Sequence, residues 1–288
     1  MAILKTVEFT TDGNTLVSCD FDVENKLAAL IKLAGGGHSA RFNEVDHVIP
    51  IEWSPHLLRI KWLDSDDVLL WPVCLPLENS SYVGRVGKGG LSILSLGYPL
   101  DVFTDRGIIA CAYPEEQIVI TEDLQRQSDL IAVFSRENMT KIARFIEPFM
   151  ADFKNIPFME IEKGVLDGEC YRFWFSAFST ELLWCYEFKK AKVFSCQLGC
   201  RPTDVLAICS DGSRCLVIIA RKQLISVRVF RRSEFGIDFD QELPLGPSIV
   251  SGIREIVDSN GLSGELIGYC GGRVGCRNGG IASLYSVR

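Results

Sequence analysis

Histidine is scarce in this chain of 288 residues: three are present, and none follows position 56. A catalytic Ser-His-Asp triad in the later part of the chain is therefore excluded, and no Gly-x-Ser-x-Gly motif marks a nucleophile elbow. No apolar run approaches the roughly 20 residues of a membrane helix, and the start MAILKTVEF lacks the long apolar stretch of a signal peptide. We therefore expect an intracellular protein, cytoplasmic or nuclear, without membrane insertion.

Cysteine, in contrast, is common, with eleven residues that lie mostly in apolar, strand-like runs. In a reducing compartment a free thiol acts as a small buried hydrophobe. None of the closest pairs has the two-residue spacing of a zinc knuckle or a redox motif; they are Cys196 and Cys200, Cys209 and Cys215, and Cys270 and Cys276. We interpret them as packing thiols and expect no cofactor.

Two other patterns suggest ligand sites. His38, His47 and His56 are evenly spaced and could combine with Asp46 or Glu52 around a metal. Zinc ligands usually converge at short spacings, so we interpret the histidines as surface or loop residues and predict no metal site. The glycine-rich stretches 82–90 and 269–280 do not have the spacing of a P-loop, and we interpret them as turns between strands.

The main signal is a repeat. VEFTTDGNTLVSC (7–19) has the pattern of a β-hairpin, and the pattern returns as FWFSAFSTELLWC (173–185). Further copies place an anchor position in each of seven units, at Phe9, Trp53, Ser95, Phe134, Phe175, Ile208 and Ile256. The spacing averages near the ~40–45 residues of a four-stranded propeller blade. We therefore predict a single β-propeller domain over residues 1–288, with seven blades.

Two details refine this prediction. The last strand-like run, IASLYSV, leaves the final blade one strand short, and AILKTV (2–7) at the other end of the chain is expected to supply it and close the ring. The apolar residues between 142 and 153 have helical spacing interrupted by Pro148. A strand through Phe145 followed by a short helix near 148–154 satisfies both signals; if the whole segment is helical, the alternative is six blades.

The residues within the units resemble a known family. WSP (53–55) followed by DSDDVLLW (64–71), and FTTDG (9–13) followed by LVSC, are similar to WD repeats, whose blades often contain a Ser-Pro-Asp-Gly turn. The resemblance implies a β-propeller that presents rigid surfaces to protein partners.

Charge is unevenly distributed around a net value of −7. Acidic residues outnumber basic ones over residues 1–67, whereas residues 187–232 contain ten Lys or Arg against three acidic residues. A basic surface of this kind would select an acidic partner and speed its association. The candidate partner-binding residues are Lys189, Lys190, Lys192, Arg221, Lys222, Arg231 and Arg232.

The absence of a catalytic constellation makes binding the leading hypothesis: a non-enzymatic interaction scaffold, either a subunit of a larger complex or an inhibitor-like partner of another protein. The first alternative is a hydrolase acting on a carbohydrate or another small molecule, with Asp64, Asp66 or Asp67 in the central funnel. The second is a propeller that binds nucleic acid through the basic stretch 187–232. The net negative charge makes general nucleic-acid binding the weaker of these expectations.

Overall fold

A computed structural model of the chain describes residues 3–10, 14–50, 58–72, 83–94, 96, 99, 101–105, 108–112, 129–135, 141–146, 161–177, 180–212, 214–221, 224–244, 264–278 and 280–287. Regular structure within these ranges consists of β-strands and one 3-10 turn, Pro202–Asp204. No helix in this part of the chain has the length and apolar character needed to cross a bilayer.

The strands form six antiparallel, four-stranded sheets within the described ranges, and each sheet is one blade. The first strand of the chain is β1 (Ile3–Thr10); blade 1 follows with β2 (Thr15–Phe21), β3 (Leu27–Lys32), β4 (His38–Phe42) and β5 (Val45–Ile49), and blade 2 with β6 (Leu58–Trp62), β7 (Val68–Pro72), β8 (Val83–Gly87) and β9 (Gly90–Leu94). Blade 3 consists of β10 (Asp101–Asp105), β11 (Ile108–Ala112), β12 (Asp129–Ser135) and β13 (Lys141–Ile146), and blade 4 of β14 (Ile161–Asp167), β15 (Arg172–Ala177), β16 (Leu182–Glu187) and β17 (Lys192–Gln197). Blade 5 consists of β18 (Val205–Asp211), β19 (Arg214–Arg221), β20 (Leu224–Arg232) and β21 (Ile237–Pro244), and blade 6 contains β22 (Gly264–Tyr269), β23 (Arg273–Asn278) and β24 (Ile281–Val287).

The first strand of the chain completes the last blade. β1 pairs antiparallel with β24, with Ile3 opposite Val287 and Thr10 opposite Ile281. The predicted closure of the ring by the N-terminal strand is confirmed. Pairing of the two chain ends covers the edge that β24 would otherwise expose.

Apolar packing between blades completes the ring. The described residues form six buried clusters, and each cluster joins two neighbouring blades, including blades 6 and 1. Side chains alternate between the two faces of a strand. Trp174 therefore packs toward blade 5, whereas Phe173 and Phe175 pack toward blade 3.

The residues that the structure describes form six blades, so the six-blade alternative is confirmed and the prediction of seven blades is not. Every blade already packs against two neighbours, which leaves no gap for another blade in the ring. The predicted strand through Phe145 is present as β13, so the six-blade ring arises without helix at 141–146. The helix predicted near 148–154 lies outside the described residues.

The predicted hairpin over 7–19 is also corrected. β1 and β2 belong to different sheets, so this segment passes from the outer strand of blade 6 to the inner strand of blade 1. Its echo at 173–185 runs instead from β15 to β16, which are paired neighbours within blade 4. The two segments share their apolar rhythm but not their place in a blade.

Hydrogen bonds also link the blades where their first strands end. We call this end of the ring, with the turns between the first and second and between the third and fourth strands, the lower face, and the opposite end the upper face. Six bonds join successive blades there: Asp20 Oδ2 with Trp62 N (2.8 Å), Trp62 O with Thr104 Oγ1 (2.7 Å), Asp105 Oδ2 with Gly168 N (2.6 Å), Asp167 Oδ2 with Ser210 Oγ (2.7 Å), Ser210 O with Gly272 N (2.9 Å) and Tyr269 Oη with Phe21 N (3.2 Å).

Candidate functional site

The predicted basic residues do not form one surface. The lower face contains Lys189, Lys190, Lys192, Arg231 and Arg232, at the turns that follow β16 and β20. Arg221 ends β19 on the upper face, and Lys222 lies outside the described residues. β20 runs for nine residues between the two faces, a length of about 26 Å at ~3.3 Å per residue. A partner that contacts one group is therefore far from the other.

Glu187 connects the lower-face turns of blades 4 and 5. Its carboxylate lies 3.1 Å from Arg172 Nε, 3.3 Å from Lys190 Nζ and 3.0 Å from Arg232 Nε. Burial raises the pKa of Glu187, but Arg232, Lys190 and Arg172 together hold that pKa below its ordinary value. One carboxylate thus contacts three cations that come from two blades.

Arg232 is part of the framework of the site. Only 5% of its side chain is exposed, and its guanidinium lies 3.4 Å from the ring centroid of Phe194. It also donates a hydrogen bond to the carbonyl of Gly236. Arg232 therefore holds the two turns together, and the exposed cations around it are the residues available to a partner.

The turn at 188–192, which we call the lysine turn, carries three of those cations. Ala191 has a left-handed backbone (φ 48°), which makes the turn tight. Lys189 lies over the ring of Tyr171, with its Nζ 3.1 Å from the ring centroid. Lys190 and Lys192 are exposed, so this turn places positive charge outward from blade 4.

The neighbouring turn at 233–236, which we call the aromatic turn, carries a residue that the sequence analysis did not identify. Phe235 is 92% exposed, more than any other large apolar residue in the described ranges. Arg231, which precedes this turn, pairs with Asp240 at 3.0 Å. The lower face of blades 4 and 5 therefore presents an exposed aromatic ring in the turn next to the lysine turn, with the exposed Glu234 directly before that ring in the sequence.

On the upper face, Arg221 has local partners. It donates a hydrogen bond to the carbonyl of Gly199 and lies 3.9 Å from Asp204. Arg201 pairs with the same carboxylate at 3.0 Å. These contacts stabilise the link between blades 4 and 5.

The axial opening contains a group of possible metal ligands. Oxygen atoms of Asp105 and Asp167 and the sulfur of Cys270 lie within 4.8 Å of one another. The carboxylates accept hydrogen bonds between blades, and the Cys270 thiol donates to the carbonyl of Leu166 at 2.9 Å. Burial, followed by the charges of Asp105 and Asp167, raises the pKa of Cys270 and keeps it protonated. The group therefore acts as a set of links between blades.

The space in this opening is small. The cavity at its lower end has a volume of about 210 Å³, below the ~300–1,000 Å³ of typical small-molecule sites. Asp64 lines this cavity, but its Oδ1 accepts hydrogen bonds from the backbone of Asp66 and Asp67. Asp67 also pairs with Arg85, and Asp66 lies 3.6 Å from Lys88. The three aspartates considered for hydrolysis thus form a turn, and Arg85 and Lys88 offset part of its negative charge.

The histidines do not assemble a site either within the described residues. His38 and His47 lie on the neighbouring strands β4 and β5, and the His47 ring stacks on Phe42 with centroids 4.4 Å apart. Asp46 pairs with Arg41 at 2.8 Å. His56 and Glu52 lie outside the described residues.

The fold recurs in solved structures. A chain from the "Crystal Structure of Mitotic Checkpoint Complex" matches with a TM-score of 0.51 and 7% identity, over 99% of this chain and 94% of that one. This likeness shows the fold: the chain is a β-propeller. Similar matches are a nidogen/laminin complex (TM-score 0.48, 10% identity, 82% and 81% covered) and the Myceliophteria thermophila Cps50 (Swd1) β-propeller domain (TM-score 0.48, 7% identity, 95% and 83% covered). No protein-family model matches the sequence, and no curated protein matches it.

Sequence reasoning missed two components of the lower-face site. Glu187 was counted only as one acidic residue in a basic stretch, because its three cations come from separate strands and turns. Phe235 gave one usable signal: it stands between Glu234 and Gly236 in a polar turn, where an apolar residue has no core to enter. Aromatic residues in such turns deserve inclusion among candidate contacts.

Proposed function

We propose that this propeller is a non-enzymatic protein-interaction module that binds an acidic segment of a protein partner through the lower face of blades 4 and 5. The carrying observation is the placement of three cations around the single carboxylate of Glu187, with Lys189 and Lys192 beside them. A partner that contributes carboxylates balances this charge, which favours recognition and fast association.

The fold supports this proposal. Propellers offer broad rigid surfaces, and the similar chain of the mitotic checkpoint complex comes from a multi-protein assembly. Membership of a larger complex in the cytoplasm or nucleus is the setting we propose, either as a structural subunit or as an inhibitor-like partner.

The test compares the two faces. The tagged protein and two charge-reversal variants are purified from the native cell at moderate and high salt, and the bound proteins are measured by mass spectrometry. One variant carries Lys190→Glu and Lys192→Glu on the lower face. Its matched control carries Arg201→Glu and Arg221→Glu on the upper face.

We expect a stoichiometric protein partner that is lost with the lower-face variant and at high salt but retained by the control. Loss only with the control would assign binding to the upper face and contradict the proposed site. Absence of any partner from the wild-type protein would contradict the interaction function. Loss after nuclease treatment would favour the nucleic-acid alternative.

A further inference from the structure

Phe235 is exposed because of how the aromatic turn is built. The chain reverses between β20 and β21 in four residues, and Gly236 provides the bend before Ile237 re-enters the core. Phe235 therefore stands at the tip of the turn, with 92% of its surface in contact with solvent. Burying a phenylalanine side chain is favourable, and the isolated chain does not realise this gain.

The turn that presents this ring is held in place by its own hydrogen bonds. The carbonyl of Gly236 accepts from Ser233 N at 2.9 Å, from Ser233 Oγ at 3.3 Å and from Arg232 Nη1 at 3.0 Å. Arg232 is itself fixed by Glu187 and by the ring of Phe194. Phe235 is thus presented on a rigid support, so that little conformational entropy would be lost when it binds.

Single exposed apolar residues are common and need no explanation by themselves. Three observations distinguish Phe235. Its side chain is almost fully exposed, and the turn that carries it is held by hydrogen bonds. That turn is also linked to Lys190, because Arg232 bonds to the turn and pairs with Glu187, which pairs with Lys190. Phe239, on the adjacent β21, is a second aromatic residue that is more than half exposed. Aromatic residues, phenylalanine included, are enriched at protein interfaces, and a buried aromatic anchor often contributes much of the binding energy.

We propose that Phe235 is the apolar anchor of the lower face, and that its partner is a protein with an apolar pocket bordered by carboxylates on the side that faces the lysine turn. The ring enters the pocket, while Lys190 and Lys192 contact the carboxylates. The inference rests on the proposed function, since it names the chemistry of the partner that the lower face selects.

The partner and its contact are identified by photo-cross-linking in the native cell. The protein carries p-benzoylphenylalanine in place of Phe235, Lys190 or, as a control on the upper face, Leu224, which is 75% exposed. We expect positions 235 and 190 to cross-link to the same protein, with the adduct of position 235 on apolar residues next to Asp or Glu. An adduct at position 190 without one at 235 would overturn the anchor alone. Adducts only at position 224 would overturn both proposals.

The purified partner then permits a direct measurement of affinity by calorimetry at two salt concentrations. We expect Phe235→Ala to weaken binding roughly thirtyfold, the scale of a hot spot, at both concentrations, and Phe235→Leu to weaken it less. Lys192→Glu should weaken binding mainly at low salt, because screening reduces charge contacts and leaves apolar contacts intact. Unchanged affinity for Phe235→Ala together with a loss for Lys192→Glu would overturn the anchor and leave the proposed function standing. Unaltered melting temperatures of these variants would show that the fold is unaffected.

Discussion

The hydroxyl of Ser210 donates a 2.7 Å hydrogen bond to Oδ2 of Asp167, and this buried contact joins blade 5 to blade 4. Asp167 also accepts from the backbone of Cys170 at 2.9 Å, which orients its carboxylate. Equivalent strand ends provide the contacts between the other blades. The carboxylates near the axis therefore have a structural use as links around the ring.

Ser210→Ala should lower the free energy of unfolding by about 1–3 kcal/mol, because a buried carboxylate loses a hydrogen-bond donor. Urea denaturation followed by tryptophan fluorescence measures the change. Ser226→Ala is the matched control, since its hydroxyl bonds to Glu242 at an exposed position and its loss should cost about 0.5 kcal/mol or less. Equal effects of the two variants would contradict the structural role of the Ser210 contact.

Glu187→Gln should lower the free energy of unfolding by about 3 kcal/mol, because it leaves the buried guanidinium of Arg232 without its counter-charge. Glu234→Gln is the control, since Glu234 is exposed on the same face. Urea denaturation at pH 7 distinguishes the two variants. A neutral result for Glu187→Gln would show that the three cations do not depend on this carboxylate.

The pH dependence of stability should change with the same residue. The pKa of Glu187 in the folded protein lies below its ordinary value of 4.5, so folding binds fewer protons at this site than the unfolded chain does. Its stabilisation is fully present above pH 4.5 and is lost as the pH falls through the lower, folded-state pKa. The wild-type protein should therefore lose stability more steeply than Glu187→Gln in this acidic range, as measured by melting temperature against pH. Parallel curves would contradict this assignment.

Gly268→Ala should destabilise the protein strongly, by about 2–3 kcal/mol or more, since an added Cβ would lie 1.7 Å from the carbonyl oxygen of Ile208 on the neighbouring blade. Gly89→Ala is the control, because nothing lies within 4 Å of a Cβ added there. Thermal unfolding of both variants checks the difference. A melting temperature for Gly268→Ala equal to that of the control would mean that blades 5 and 6 are not in close contact at this point.

Buried thiols should resist alkylation. Burial raises the pKa of Cys19, Cys185 and Cys209 to about 12, and the thiolate is the reactive form. With iodoacetamide at pH 8, peptide mapping should show these three unmodified in the folded protein and modified after denaturation. Cys170, which is only partly buried, should react faster. Rapid native modification of the buried three would contradict their packing between blades.

Removal of residues 1–10 should lower the melting temperature by about 10 °C or more, because blade 6 loses its fourth strand and β24 becomes an exposed edge. A synthetic peptide with the sequence of β1 should restore part of the loss, whereas a scrambled peptide should not. A truncated protein with wild-type stability would show that the pairing of β1 with β24 does not hold the ring closed.

The miscount of blades has a physical cause. Every strand of a propeller blade alternates between two apolar interfaces, so the first, second and third strands have the same rhythm. The predicted anchor positions therefore do not fall in equivalent strands. Ile208 lies in the first strand of its blade, Phe175 in the second, Phe134 in the third and Phe9 in the fourth. A better marker was available in the aspartates that end or follow the first strands, at Asp22, Asp64, Asp105, Asp167 and Asp211, because a tight turn and a contact between blades recur there.

The sequence by itself determined the class of fold, because period-2 alternation and short polar turns are local properties of the chain. It also indicated how the ring closes, because the last blade was one strand short and a strand-like run stood at the other end of the chain. It also excluded a late catalytic triad, since the necessary histidine is missing. Only the tertiary structure decided the number of blades. It also separated Arg221 from the lysine turn, because each strand spans the ring from one face to the other and the two ends of a strand therefore lie on opposite faces. It likewise brought Glu187 to three cations and left Phe235 in solvent, since both depend on which strands pack together.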